Sequence, residues 1–352
     1  MKEKHEEVKA YYGQELSSNE DLKTNACCTM EAPPPHIQAA LNNIHEEVLE
    51  KYYGCGLVIP NELKGLRILD LGSGSGRDCY VLSQLVGQEG EVIGVDMTDE
   101  QLAVANKYID YHTEKFGYRY ANVQFLKGNI EALEDLNLAP NSFDIIISNC
   151  VINLTLNKEK VLQDVYQLLK PGGEMYFSDV YSDRRISKTL QQNSMLWGEC
   201  LSGAFYWNDF LRTAKKVGFI DPRSVKSSPI TLENREIKDI CGNIQFFSVT
   251  YRLWKIDHLE DNCEDYGQAI SYNGTIEGSQ HGFDLDDHHH FPTHKVMPVC
   301  GNTFLMLQAT RYQKHFKFYG NWDIHYGIFE GCGTSMPFQT QGNDGSSGEA
   351  CC

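Results

Sequence analysis

A turn with three regularly spaced glycines constrains the fold of this chain more than any other feature. The segment ILDLGSGSGRD places Asp70, Gly72, Gly74 and Gly76 between a short apolar run and an amphipathic stretch. Because glycine has no side chain, the backbone there can approach a ligand, and the following helix offers its first N–H groups. The third glycine comes one residue earlier than in the G-x-G-x-x-G turn of dinucleotide sites. The pattern therefore predicts a strand, a ligand-binding turn and a helix.

A carboxylate at the end of the next apolar run narrows the ligand class. The segment EVIGVDM ends a second predicted strand with Asp96, which follows Gly76 by twenty residues. A carboxylate at that place can accept hydrogen bonds from both ribose hydroxyls. The glycine turn and Asp96 together indicate a ligand that contains a nucleoside.

Strand and helix patterns alternate through the middle of the chain. Five β/α alternations are predicted, which is typical of a parallel sheet with crossover helices. We expect the strands in the segments GLRILDL, EVIGVDM, NVQFLKG, NSFDIIISN and LLKPGGEMYFSDV, with Pro-Gly-Gly as the turn before the fifth strand. We expect helices over residues 98–116, 158–169 and parts of 184–218, and a closing strand within 235–255.

The two ends of the chain differ from this core. One amphipathic helix after Pro33 is expected to carry Tyr53 and Cys55 near its end. After residue 256 the sequence becomes acidic and rich in histidine, with a helical pattern only around residues 303–316, and the last residues resemble a disordered tail. We expect an N-terminal cap (1–63), a catalytic domain (64–255) and a small C-terminal module (256–352).

The charge balance excludes several partners. The chain has 31 Lys and Arg against 48 Asp and Glu, a net charge of −17, which repels nucleic acid and anionic membranes. Its first residues are charged, and no apolar run approaches a membrane span. The sequence therefore predicts a cytoplasmic protein that binds neither nucleic acid nor a membrane.

Twelve cysteines are scattered along the chain without any C-x-x-C pair. This distribution is not that of a small secreted disulfide framework. In a reducing compartment such thiols are either inert buried residues or ligands for soft and redox chemistry.

The segments ILDLGSGSGRD, VIGVDM, GNIEAL, NSFDIIISNCVINL and LLKPGGEMYFSD resemble, in this order, the class I methyltransferases that use S-adenosylmethionine. The resemblance implies a Rossmann-like, doubly wound α/β fold with a mostly parallel seven-stranded sheet. It implies that the methionine part is wrapped by the glycine turn, that the ribose is held at the second strand, and that the adenine and the reacting centre have side chains beside them. The implied cofactor residues are Tyr53, Gly72, Ser73, Gly74, Gly76, Asp96 (ribose), Met97 (adenine), Gln101, Ile130 and Glu131 (adenine amino group), and Asn149 (reacting centre). A core residue after a strand is the alternative for Met97.

The cysteine segments TNACCT, YYGCGLVIP, ISNCVINL and LWGECLSGA are similar to those of the arsenite methyltransferases, from about residue 8 to 254. The resemblance implies methylation of cysteine-bound trivalent arsenic, arsenic detoxification and four functional cysteines: Cys27, Cys55, Cys150 and Cys200. It also implies a Cys27–Cys55 disulfide that a thioredoxin-like protein or glutathione reduces. A monomer is expected. Cys28 has no counterpart in the family pattern, which leaves the register at Cys27 open.

The chemistry of arsenic agrees with this set. Trivalent arsenic is a soft centre that prefers thiolates, and three sulfurs leave its lone pair an open direction. Cys55, Cys150 and Cys200 are the expected arsenic ligands, one from the cap and two from the catalytic domain. The lone pair attacks the methyl group in line, so little acid–base catalysis is needed.

Two other functions stay open at this point. One is a methyltransferase for a small organic acceptor with structural cysteines, and the other is a protein that sequesters metalloids without turnover. The latter needs no nucleoside site, so the glycine turn and Asp96 argue against it. Inert roles are expected for Cys79, Cys241, Cys263, Cys300 and Cys332, an incidental C-terminus for Cys351 and Cys352, and a loop rather than a metal site for His281, His288, His289, His290 and His294.

Overall fold

A mixed sheet of eight strands forms the centre of the molecule. The structure, a computed structural model, describes residues 6, 8, 11, 33–52 and 56–332. The strands of this sheet are β1 (Arg67–Leu71), β2 (Glu91–Asp96), β3 (Val123–Lys127), β4 (Phe143–Asn149), β5 (Leu169–Ser182), β6 (Phe205–Tyr206), β7 (Arg223–Ile230) and β8 (Phe246–Trp254). Their order is β3-β2-β1-β4-β5-β8-β7, with β6 beside β5.

The first five strands run parallel, whereas β8 and β7 are each antiparallel to their neighbours. Apolar residues fill the central strands because helices cover both faces of the sheet: Ile68, Ile145 and Ile147 face one core, and Leu69 and Ile146 the other. The Rossmann-like, mostly parallel α/β fold is confirmed. The main path has seven strands, and the short β6 adds an eighth.

Ten helices flank this sheet among the residues that the structure describes: α1 (Pro35–Leu41), α2 (Glu46–Glu50), α3 (Arg77–Val86), α4 (Asp99–Lys107), α5 (Ile109–Lys115), α6 (Lys158–Leu168), α7 (Lys188–Gln191), α8 (Ser194–Gly198), α9 (Trp207–Val217) and α10 (Arg235–Cys241). The expectation of one continuous helix after Pro33 was wrong. The chain breaks between α1 and α2, where His45 takes an extended conformation and its side chain accepts a hydrogen bond from the N–H of Glu47. The expected helix over residues 98–116 is likewise two helices, which meet at Tyr108.

Two further expectations differ from the structure. The Pro-Gly-Gly segment is not a turn before β5 but lies within it, where the pairing with β4 shifts from Phe143 opposite Leu169 to Ile145 opposite Glu174. This irregularity adds residues to one strand only, as a bulge does. Strand β7 was not foreseen, because its residues are mostly charged or small and polar and give no clear strand pattern of their own.

The C-terminal part is built from short strands and one helix, α11 (Gly301–Gln308). The strands are β9 (Glu264–Asp265), β10 (Ala269–Tyr272), β11 (Gly282–Asp284), β12 (His290–Pro292), β13 (Val296–Pro298), β14 (Phe316–Tyr319) and β15 (Gly327–Ile328). They form one sheet of three strands, β13-β10-β14, and two pairs. The helix expected around residues 303–316 ends at Gln308, because the chain turns at Thr310 and enters β14.

A buried ion-pair cluster fixes this part to the central sheet. Glu174 of β5 is fully buried and pairs with Arg252 of β8 at 2.9 Å and with Arg311. Arg252 also donates to the carbonyl of Leu285, and Arg311 to that of Asn61. Because a buried charge is costly without its partner, the cluster holds the two parts in one arrangement. No helix in the described ranges is long and apolar enough to cross a membrane.

Candidate functional site

A cavity of about 940 Å³, open to solvent, lies at the carboxyl ends of β1, β2 and β4. This edge is where parallel α/β sheets bind their ligands. The predicted cofactor residues that line it are Gly72, Ser73, Gly74, Asp96, Met97, Gln101, Ile130, Glu131 and Asn149. Cys150 lines it as well.

The glycine turn forms one wall because it has a conformation that other residues rarely adopt. Gly72, Gly74 and Gly76 all have positive φ angles, of 77°, 53° and 87°. The N–H of Gly72 donates to the carbonyl of Val95 at 2.8 Å, which binds the turn to β2. A Cβ atom at Gly72 would lie 2.4 Å from the side chain of Val151. Gly76 does not line the cavity and permits the close packing of α3 instead.

Asp96 is held rigidly at the end of β2. Its carboxylate accepts hydrogen bonds from the backbone N–H groups of Gly74, at 2.9 Å, and Thr98, at 2.8 Å. Burial raises the pKa of Asp96, while these two donors lower it. A carboxylate that lines the cavity at this place can accept hydrogen bonds from the hydroxyls of a ribose.

Ser73 supplies a second sign that a polar ligand belongs in the cavity. Its side chain is buried, and its hydroxyl has no hydrogen-bond partner among the residues that the structure describes. Buried hydroxyls are nearly always paired. A donor and acceptor at the glycine turn fits the amino-acid end of S-adenosylmethionine.

Tyr52, Asp78 and Asn149 line the cavity and form a hydrogen-bond network that the sequence did not predict. Asn149 donates from Nδ2 to the hydroxyl of Tyr52, at 2.5 Å, and to the carboxylate of Asp78, at 3.2 Å. The guanidinium of Arg77 pairs with Asp78 at 2.6 Å and stacks 3.2 Å above the ring of Tyr52. Asp78 follows Gly76 by two residues and lies on the first turn of α3. The glycine motif could therefore have predicted that Asp78 lies at the cavity.

Cys200 lies next to Cys150, which lines the cavity. Cys150 follows β4 and Cys200 follows α8, and both have the positive φ angles, 58° and 59°, that non-glycine residues rarely take. The thiol of Cys200 donates to the carbonyl of Cys150 at 3.3 Å. Cys150 is disulfide-bonded. Backbone strain of this kind concentrates at functional sites.

The comparisons with known proteins decide the family. A family model described as "Methyltransferase domain" matches residues 62–218, and one described as "Arsenite methyltransferase C-terminal domain" matches residues 266–336. The arsenite methyltransferase of Aquipseudomonas alcaligenes is 55% identical over 337 residues, which is 96% of this chain and 97% of that protein. The chain belongs to the arsenite methyltransferase family.

Two further relatives agree with this family. The human arsenite methyltransferase is 47% identical over 88% of this chain and 82% of its own length. The crystal structure of an arsenic(III) S-adenosylmethionine methyltransferase from Chlamydomonas reinhardtii is 50% identical, with a TM-score of 0.82 over 85% of this chain and all of that one. The expected class, an S-adenosylmethionine-dependent methyltransferase, is confirmed.

Five predicted site residues are not placed at the cavity by what the structure describes, and one of them, Cys200, lies next to Cys150 without lining the cavity. Cys27, Cys55 and Tyr53 lie outside the described residues, as does Cys28. Gly76 packs against Phe125 and Ala105. The arsenic-ligand role of Cys55 therefore stays a prediction for this chain, as do the roles of the other site residues.

A lysine that interacts with Cys200, and an aspartate that interacts with this lysine, were missed. The ammonium of Lys158 lies 5.5 Å from the ring of Trp197 and donates to the carbonyl of Thr155 at 3.1 Å. Burial lowers the pKa of Lys158 to about 8, although Asp179, Glu131 and Cys200 act on it in the opposite direction. Burial also raises the pKa of Asp179 to about 7. Shifted pKa values of this kind are common at functional sites.

Glu131 makes two hydrogen bonds that the sequence did not suggest. Its carboxylate accepts hydrogen bonds from the backbone N–H groups of Leu156, at 3.1 Å, and Asn157, at 2.6 Å. These residues precede α6, so Glu131 ties the loop after β3 to the loop after β4. A residue that lines the cavity thereby supports the segment that follows Cys150.

Proposed function

We propose that this chain transfers methyl groups from S-adenosylmethionine to trivalent arsenic held by the sulfurs of Cys150 and Cys200. The observation that carries the proposal is the approach of the two cysteine segments, with Cys200 Sγ 3.3 Å from the carbonyl oxygen of Cys150, beside the cavity that contains Asp96. Cys55 is proposed as the third ligand for inorganic arsenite.

The residues of the cavity suit the bound cofactor, whose sulfonium supplies the methyl group. Asp96 would hold the ribose hydroxyls, and the turn from Gly72 to Gly74 would hold the amino-acid end. Met97 and Ile130 offer apolar surface for the adenine. Holding both partners in line lowers the barrier mainly by removing their freedom of orientation.

The arsenic site would depend on thiolates. Because the thiolate is the form that binds a soft centre, a nearby positive charge favours binding. We assign this role to the ammonium of Lys158, which acts on Cys200 through space. Arsenic that has gained a methyl group has formally lost two electrons, and two thiols return them by forming a disulfide.

The disulfide at Cys150 has to be reduced before that residue can bind arsenic. We infer that a thioredoxin-like protein or glutathione reduces it, and that the enzyme works as a monomer in the cytosol, where such reductants keep thiols available. In this scheme residues 1–63 form a cap with Cys27 and Cys55, residues 64–255 carry out the transfer, and residues 256–352 form a small C-terminal module. The scheme serves arsenic detoxification.

Product speciation tests the proposed function. The purified chain is incubated with arsenite, S-adenosylmethionine and a dithiol, and arsenic species are separated and counted against S-adenosylhomocysteine. We expect methylated arsenic in equal amount to the S-adenosylhomocysteine formed. Cofactor binding without methylated arsenic would contradict the proposal and favour an organic acceptor.

The proposed division of the thiols has its own test. Monomethylated trivalent arsenic has only two exchangeable positions, so it needs one thiolate fewer than arsenite. Cys55→Ser and Cys27→Ser should lose arsenite methylation but retain that of the monomethylated species when an external thiol is present. Cys28→Ser should lose neither. If Cys28→Ser loses arsenite methylation and Cys27→Ser does not, the register is wrong by one residue.

A further inference from the structure

A segment near the start of the chain packs against the turn that carries Cys200. Val8 is buried in the same hydrophobic cluster as Cys150 and Cys200, and it lines the methyl-transfer cavity. On the same segment, the hydroxyl of Tyr11 donates a hydrogen bond to the carboxylate of Glu199 at 2.6 Å. The segment therefore contacts both the cavity and the residue directly before Cys200.

The ring of Tyr11 makes a second contact with this turn. A Cβ atom at Gly198, the last residue of α8, would lie 3.0 Å from the ring. The ring thus packs directly on the backbone of the helix end. Because Gly198 and Glu199 are consecutive, Tyr11 holds the chain at two successive positions just before Cys200.

The hydrogen bond matters because Glu199 is buried. The residue is 2% exposed, and buried polar side chains are nearly always hydrogen-bonded. Removing one partner of a buried hydrogen bond leaves the other with its full cost of desolvation. The phenol of Tyr11 is 188 residues away in sequence, so this bond fixes the turn to a distant part of the chain.

Cys200 depends on its surroundings for its orientation. Its φ angle of 59° is one that non-glycine residues rarely adopt, and such conformations persist only where the neighbouring structure holds them. The loop after β4 gives one such contact, because the indole of Trp197 donates to the carbonyl of Leu154 at 3.3 Å. Tyr11 gives another, from the N-terminal segment.

We propose that Tyr11 is a positioning residue for the methyl transfer, which keeps Cys200 in the orientation that binds arsenic together with Cys150. The inference rests on the proposed function, because it gives Tyr11 a part in the reaction at Cys200. Tyr11 acts through Glu199 and Gly198 and not on the cofactor, since it does not itself line the cavity.

Tyr11→Phe tests this role, because it removes the hydroxyl and keeps the ring against Gly198. At equal S-adenosylmethionine occupancy, the rate of methylated arsenic formation should fall about tenfold, the effect of one lost buried hydrogen bond. The affinity for S-adenosylmethionine should be unchanged in isothermal titration calorimetry. The control Tyr118→Phe removes a phenol that donates to the carbonyl of Ser83 at 3.1 Å, and it should keep the wild-type rate.

The orientation of Cys200 is measured separately by its reaction with iodoacetamide. The reduced full chain is alkylated, and each cysteine is followed by peptide mass spectrometry. Cys200 and Cys241 are buried in the same hydrophobic cluster, so a general loosening of the fold would raise both rates. We expect Tyr11→Phe to raise the rate at Cys200 several-fold and to leave that at Cys241 unchanged.

A double-mutant cycle tests whether Tyr11 acts through Glu199. Glu199→Met removes the acceptor and keeps the length of the side chain, so Tyr11→Phe should have little further effect on the methylation rate in that background. Full additivity of the two substitutions would overturn the proposal. If Glu199→Met does not fold, the single variant Tyr11→Phe decides.

A wild-type methylation rate for Tyr11→Phe would also overturn the proposal, as would alkylation raised equally at Cys200 and Cys241. A wild-type chain that forms no methylated arsenic would contradict the proposed function instead. The alkylation comparison uses no arsenic, so it tests the hold of Tyr11 on Cys200 in that case too.

Discussion

At the scale of single residues, the carboxylates that line the cavity differ in their hydrogen-bond partners. Asp96 lines the cavity and accepts hydrogen bonds from the backbone N–H groups of Gly74 and Thr98. Asp78 is used internally by Arg77 and Asn149. The motif alone located Asp96, because a strand-end carboxylate after a glycine turn has few other uses. It could not locate the partners of Asp78, since Tyr52 and Asn149 come from segments far apart in sequence.

Asp96→Asn tests the ribose role. The amide keeps the size of the side chain but lacks one acceptor oxygen and the charge, so S-adenosylmethionine binding should weaken by about 1.5–3 kcal/mol, the range for a hydrogen bond to a charged group. Isothermal titration calorimetry measures this. Glu91→Gln, at the other end of the same strand, should leave the affinity unchanged, and equal affinities for both variants would contradict the assignment.

A third carboxylate makes stability depend on pH. Burial and the nearby Asp78 raise the pKa of Asp70 to about 8, from an unfolded value near 3.8. The folded state therefore favours protonated Asp70, and the stability that this contributes is lost as pH rises from about 4 to 8. Asp70→Asn does not titrate. The melting temperature of Asp70→Asn minus that of the wild type, measured without cofactor, should increase between pH 5 and pH 8 and level off above pH 8. A difference that does not change with pH would contradict the raised pKa of Asp70.

At the scale of elements, the site depends on turns more than on helices and strands. The strands of the parallel sheet could be predicted because their apolar runs are long and buried. The helix breaks at His45 and Tyr108 could not be predicted, because both lie inside a continuous helical periodicity. They are set by capping and by the packing of the two aromatic rings on each other, with their centroids 3.8 Å apart. Strand β7 was missed because its register comes from pairing with β8.

Gly72→Ala tests whether the glycine turn requires the close approach of its backbone to Val151. A Cβ atom at Gly72 would meet Val151 at 2.4 Å, and φ is +77°. Gly65 has nearly the same φ, +76°, but nothing within 4 Å of a Cβ, so Gly65→Ala isolates the backbone cost of about 1 kcal/mol. We expect Gly72→Ala to weaken S-adenosylmethionine binding at least tenfold and Gly65→Ala to leave it unchanged. Equal affinities would show that the turn tolerates a side chain.

At the scale of the whole molecule, the chain joins a methyltransferase fold to a C-terminal part through the buried cluster at Glu174. The order of the five sequence segments predicted the methyltransferase fold. The fold in turn predicted the cofactor class. The C-terminal architecture could not be predicted because its strands are short and pair over long separations, as Ala269 does with Tyr319.

The central claim is that arsenic is methylated while held by Cys150 and Cys200, and one measurement tests it most directly. Cys200→Ser and Cys241→Ser each replace a buried cysteine of the same hydrophobic cluster with a nearly isosteric residue. The measurement is the rate of methylated arsenic formation by the two variants, at equal S-adenosylmethionine occupancy. We expect Cys241→Ser to retain the wild-type rate and Cys200→Ser to fall at least a hundredfold, because a hydroxyl does not replace a thiolate on arsenic. Equal rates for the two variants would contradict the account.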